Sequence, residues 1–235
     1  MKIFFGLLLS LTTFITLGQK FQVKLDSIVE NFITELKVKN VEHIGYMRLT
    51  CINYGIVSHT YLFWQRDKQT FIKKFVDSDY DDEHFEEYNQ IEIDNDCFFG
   101  FYNKYRNDII AEQVYAFSTK KDSIVGNRIY SQEIQTSHSC YQNFLVLEPT
   151  QRLRRFFNYF DLRDYDHEQI DNSKLSKERI LELSRESWEV DTAYKSVPVR
   201  NINHKHNIML RIVEWDRVVS KLIDQLESQN RFFKQ

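Results

Sequence analysis

Residues Ile44–Val76, IGYMRLTCINYGIVSHTYLFWQRDKQTFIKKFV, decide the fold class. Three runs rich in β-branched and aromatic residues are split by two short turns, the pattern of an antiparallel meander. In the first run Met47, Leu49 and Cys51 share one face and Tyr46, Arg48 and Thr50 the other, because successive strand side chains alternate. Asn53-Tyr54-Gly55 supplies one turn, with Gly55 able to take positive φ, and Gln65 to Lys68 supplies the second. The third run, Thr70 to Val76, carries Lys73 and Lys74 side by side, so charge falls on both faces. That predicts an edge or half-exposed strand.

Outward from the meander, residues 24–38 are expected to form a helix. Leu25, Ile28, Val29, Phe32 and Leu36 fall on one stripe, and Ser27 with Glu30 has capping-box spacing. A second helix is expected over 98–110, with Phe98, Phe101, Tyr102, Tyr105 and Ile109 on one face. Short strands are expected at 114–118 and 129–134, and a longer one at 140–147, ended by Pro149. Residues 151–160 (QRLRRFFNYF) fit helix or strand equally, and the polar stretch 161–172 reads as a loop and a candidate sub-boundary. Helices are expected at 176–188 and 212–226, the last with Trp215, Val218, Val219, Leu222 and Leu226 on one face. The expected fold class is α+β: an antiparallel sheet, 44–76 plus later strands, flanked by an N-terminal helix and a helical C-terminal part.

The chain opens with Lys2, an apolar run from Ile3 to Leu17, and small residues at Thr16 and Gly18 before Gln19. This is the layout of a cleavable signal peptide over 1–18, cut between Gly18 and Gln19. The run is short of the roughly 20 residues that would span a bilayer as an uncleaved anchor. Residues 19–235 then form a single α+β domain that is secreted or periplasmic and has no transmembrane segment.

Composition narrows function mainly by exclusion. A net charge of −3 offers no electrostatic basis for nucleic-acid binding. Only six glycines occur, and no stretch spells a dinucleotide fingerprint, a phosphate loop or a nucleophile elbow. Aromatic residues make up 15% of the chain, enough to supply stacking or interface anchors such as Tyr61, Trp64, Phe156, Phe157, Tyr159 and Phe160.

Three cysteines allow one bridge and one thiol, and an exported protein sits where disulfides persist. Cys51 and Cys140 both fall on expected strands and are the candidate pair; Cys97 opens an expected helix. Spacing alone leaves the pairing open. Metal binding has weak candidates. His138 and Cys140 fall on one side of a strand, and His204 and His206 would share a face if extended. Asp77, Asp79 and Asp81 fit the first three positions of a calcium loop, but Asp82 stands where that loop needs Gly and Tyr88 where it needs Glu. His167-Glu168-Gln169-Ile170-Asp171 misses the second histidine of a zinc-protease motif. No cofactor is predicted, with calcium or zinc as the outside alternatives.

The reading that fits best is an exported, non-catalytic binding protein whose partner is a protein or a carbohydrate. The alternatives are a secreted hydrolase, metal-assisted through the histidines, and an inhibitor or immunity-type protein using the acidic stretch 77–87.

Overall fold

The computed structural model describes residues 26–52, 55–78, 84–94, 96–119, 123–125, 128–130, 139–171 and 194–235. The elements in chain order are α1 (26–38), β1 (His43–Ile52), β2 (Ile56–Arg66), β3 (Gln69–Ser78), β4 (His84–Ile93) and α2 (Cys97–Ala111). They continue with β5 (Ser123–Val125), β6 (Arg128–Tyr130), β7 (Ser139–Leu147), β8 (Arg152–Asn158), β9 (Tyr165–Asp171), β10 (Tyr194–Arg200), α3 (His204–Asn207) and α4 (Arg211–Ser228). The chain divides into two compact units, one from residues 1–112, 137–159 and 211–235, the other from 113–136 and 160–210.

The first unit is a six-stranded antiparallel sheet in the order β4-β3-β2-β1-β7-β8 with helices, so the α+β class is observed. The meander folds as its alternation dictates. Asp67 and Lys68 hold φ of 53° and 68°, the two-residue turn whose twist suits a tight hairpin, and Arg66 pairs with Gln69. Asn40 (φ 57°) ends α1 in the left-handed conformation while Val41 N bonds back to Leu36 O at 3.0 Å.

Both faces of the sheet are covered over much of its area. Ile44, Tyr46, Leu62, Trp64, Phe71, Phe75 and Leu145 pack with Val29, Ile33 and Leu36 of α1. The opposite face, carrying Gly45, Met47, Phe63 and Phe144, receives α2 and α4. Trp215 is the hub there. It is fully buried, its ring centroid lies 4.4 Å from Phe144 and 4.9 Å from Phe98, and its indole N–H donates to Phe98 O at 3.0 Å. Filling this layer with large rings rather than aliphatics fits the sequence's 19 Phe.

Several expectations change. Strand β3 is interior to the meander, not an edge, and Lys73 and Lys74 are both buried. Their long stems cross apolar surface to carboxylates on opposite sides, Lys73 to Glu87 at 2.8 Å and Lys74 to Glu227 at 2.7 Å. Residues 151–160 resolve mainly as strand β8. In the stripe of α4, Val218 is exposed, while Ile212 and Ile223 are buried. The acidic stretch 77–87 contributes Asp77 to β3 and 84–87 to β4.

In the second unit β9 pairs with β10, so 165–171 is a strand and not a loop; β5 pairs with β6. The expected strand at 114–118 does not form. The backbone there bonds to asparagine side chains instead: Asn207 takes both Tyr115 N and Tyr115 O, and Asn203 Nδ2 donates to Ala116 O at 2.9 Å. Asn201 Nδ2 donates to Asp161 O and Arg163 O, and its Oδ1 accepts from Ser118 N and Asn203 N. An amide with both donors and acceptor engaged can stand in for a missing strand ladder. The expected helix at 176–188 and the leader lie outside the described residues.

Candidate functional site

Helix α4 crosses the sheet with acidic residues among its apolar ones, and two buried polar groups result. The first centres on Asp216, which is only 3% exposed. Tyr159 donates a 2.6 Å hydrogen bond to Asp216 Oδ2, and Gln142, itself buried, stands 3.5 Å from the same hydroxyl. Among the described residues Asp216 Oδ1 has no hydrogen-bond partner. Burial pushes this carboxyl up to about 6, against the pull of the Tyr159 bond and the Arg217 charge. The Tyr159 hydroxyl is raised in turn, by burial and by the adjoining Asp216.

The second group centres on Lys74. Glu227 Oε1 accepts from Lys74 Nζ and from Tyr61 OH, each at 2.7 Å. Three rings stand around the ammonium, Tyr88 at 4.7 Å, Phe232 at 5.8 Å and Tyr61 at 5.9 Å. Burial works against the Glu227 charge, but the Lys74 and Tyr61 hydrogen bonds outweigh it and hold the carboxyl below its usual range. Burial and the Lys74 charge lower His59, so that imidazole is neutral at physiological pH. Every cation and acid of this second group is matched, so it reads as a structural ion pair. Asp216 is the group that costs stability without visible return.

A different surface lies on the other face of the sheet, beyond the reach of α1. By strand register Tyr141 and Asn143 of β7 and Arg154, Phe156 and Asn158 of β8 share the face of Tyr46. Phe156 is 68% exposed there, opposite Asn143, with exposed Arg152 and Arg154 on the same outer strand. Ile52, at the end of β1, is also exposed on this side. An exposed aromatic ring flanked by exposed arginines on one strand face has the composition of an interface anchor.

The candidates named from sequence are scattered. Cys51 and Cys140 stand directly opposite each other on β1 and β7, with sulfurs 2.06 Å apart, and Cys97 is a free thiol. Burial pushes the Cys97 thiol up to about 11, with Asp96 adding to the shift, so it is protonated and a poor nucleophile at neutral pH. His204 and His206 lie on the short helix α3 rather than on an extended segment. His204 Nδ1 meets Leu162 O at 2.8 Å and His206 Nε2 meets Gln113 O at 3.1 Å, so each ring is spent partly on backbone. Among the described residues no three histidine, cysteine or acidic side chains gather as a metal site. Asp77 lies on β3, while His138, Asp79, Asp81, Gly18 and Gln19 fall outside the described residues. Tyr61, Trp64, Phe157 and Phe160 are core; of the aromatics singled out, Phe156 is the exposed one.

Sequence reasoning missed Asp216 because it sits inside a helical apolar stripe, between Trp215 and Val219. The available signal was its spacing: Asp216 follows Ile212 by four positions and precedes Val219 by three and Ile223 by seven, which on a helix places it on the same inner face.

Comparison with protein-family models, with curated proteins and with solved structures finds no match to this chain. Among the described residues no helix is long and apolar enough to cross a membrane.

Proposed function

We propose that this chain is an exported, non-catalytic binding protein that holds a protein partner on the β7–β8 end of its sheet, on the face opposite α2 and α4. The observation that carries the reading is Phe156, exposed on an outer strand beside Arg152 and Arg154. Aromatic and arginine side chains are the commonest energetic anchors of protein interfaces. The partner that fits presents an apolar side chain flanked by carboxylates. The Cys51–Cys140 pair and the leader-like residues 1–18 support a location in an oxidising compartment.

The test is a photoreactive phenylalanine analogue at position 156, with a control at exposed Val38 on α1. A discrete, competable protein adduct at 156 and none at 38 is expected. Adducts that are absent at 156, or equal at the two positions, overturn the reading. A carbohydrate ligand would show instead as binding on immobilised glycans that Phe156→Ala abolishes. Export is checked separately, by an N-terminus at Gln19 on protein recovered outside the cytoplasm.

A further inference from the structure

The outer edge of β4 is not left open. After α4 the chain reverses at Asn230, which holds φ 52°, and residues 231–235 run back along β4. Asn89 N donates to Phe233 O at 2.9 Å, Phe233 N donates to Asn89 Oδ1 at 2.6 Å, and Asn89 Nδ2 donates to Arg231 O at 3.3 Å. Gln235 N donates to Glu87 O at 2.8 Å, and Tyr88 pairs with Lys234 as an antiparallel bridge.

Side chains add a pattern to this backbone pairing. Phe232 enters a socket made by Tyr61 at 5.9 Å and Tyr88 at 6.5 Å, with the Lys74 ammonium on its face. Two residues on, Lys234 Nζ meets Glu86 Oε1 at 2.8 Å. One further, Gln235 Oε1 accepts from Lys73 Nζ at 3.0 Å. The edge therefore recognises an extended segment with an aromatic residue followed at the second position by a cation.

The occupant is held lightly. Arg231, Phe233, Lys234 and Gln235 are all exposed, Phe233 to 65%, and Phe232 alone is half-buried. A segment at the sheet's margin with one half-buried side chain and the rest exposed opens locally long before the sheet unfolds. Opening uncovers a strand edge whose Asn89 amide, Asn89 side chain and Glu87 carbonyl are already aligned for another strand.

We propose that the β4 edge is a peptide-acceptor site, closed in cis by residues 231–235 and taken in trans by an extended segment of a partner protein bearing an aromatic residue two positions before a lysine or arginine. This site is separate from the Phe156 face and stands or falls independently of it.

The probe is a fluorescent peptide with the sequence of residues 230–235, Asn-Arg-Phe-Phe-Lys-Gln, titrated against the full chain. In the Phe232→Ala chain the cis segment loses its anchor while the acceptor edge stays intact. That variant is expected to bind the probe at least tenfold more tightly than the unaltered chain. A probe with alanine at its first phenylalanine is expected not to bind, and adding Asn89→Ala is expected to abolish binding. Phe156→Ala leaves probe binding unchanged. The proposal is overturned if Phe232→Ala shows no saturable binding, or binds the alanine probe equally well. Hydrogen exchange on the unaltered chain gives a check that needs no variant. The Asn89, Phe233 and Gln235 amides should exchange at least a hundredfold faster than the Phe63 amide of β2, and exchange only with global unfolding overturns the proposal.

Discussion

Tyr159 and Asp216 form a buried pair in which a 2.6 Å hydrogen bond satisfies one carboxylate oxygen and leaves the other without a partner among the described residues. The carboxyl gains its proton at about pH 6 in the fold, against about 3.9 for an unfolded Asp. Below pH 4 both states are protonated and the group is neutral with respect to folding. As pH rises from 4 to 6 the unfolded chain releases its proton first, so stability falls, and above 6 the deficit is constant. At about 1.4 kcal/mol per unit the deficit is on the order of 2–3 kcal/mol. Asp216→Asn is therefore expected to stabilise the protein by about 2 kcal/mol at pH 7 and by about nothing at pH 4, read from urea midpoints at the two pH values. A gain of equal size at both would mean that the shift is not the cause.

Gly45 and Phe98 make a second sharp relationship. A Cβ built on Gly45 would meet the Phe98 ring, and Leu145 O at 2.8 Å. Phe98 has little room to yield, since it stacks on Phe63 at 4.5 Å and touches Phe99 at 5.0 Å and Trp215 at 4.9 Å. The missing side chain is what lets α2 lie close on β1. Gly45→Ala is expected to cost about 3 kcal/mol through overpacking, measured by chemical unfolding. A variant as stable as the parent would mean that α2 can lift away freely.

The sheet was legible because alternation and turns are local properties. Asp67-Lys68 and the pairing of β1 with β2 follow from residues close in sequence, whereas β7 pairs with β1 across a separation of 89 positions at Cys51–Cys140. What alternation could not reveal is that both faces are covered: Ile44 to Arg48 are all buried, so no polar face marks the solvent side. Lys73 and Lys74 were misread for a related reason. Their countercharges come from Glu87 and from Glu227, the latter more than 150 positions away, and a single sequence does not announce such partners. The 114–118 stretch reads as a strand because its residues suit one, yet its backbone bonds to the side chains of Asn201, Asn203 and Asn207. Of the candidate sites, the Cys51–Cys140 alignment was legible from strand positions, whereas Asp216 and the docking of 231–235 depend on tertiary packing.

The cross-strand cysteines close a loop with a sequence separation of 89. Linking residues that far apart restricts the unfolded chain by about 4.6 kcal/mol on the loop-entropy estimate. The Cys51→Ala/Cys140→Ala double variant is expected to lose about that much, and reductant should bring the parent to the same urea midpoint while leaving the variant unmoved. A parent indifferent to reductant would show that the two thiols are not joined in solution.

Lys74 and Glu227 should respond to substitution unequally. The Lys74 side chain is 9% exposed and that of Glu227 is 37% exposed. Removing the acid strands a nearly buried cation, whereas removing the cation frees an acid that can turn to water. Glu227→Gln is expected to cost about 2 kcal/mol, and Lys74→Met less than about 1 kcal/mol, because its stem still fills the space among Tyr61, Tyr88 and Phe232. The pH dependence separates the two further. Glu227 is held below the usual carboxylate range in the fold, so its contribution is complete at neutral pH and is lost as pH falls through the lowered value. Lys74→Met should flatten that part of the acid limb. If it leaves the limb unchanged, Tyr61 rather than Lys74 is the partner that holds the Glu227 charge.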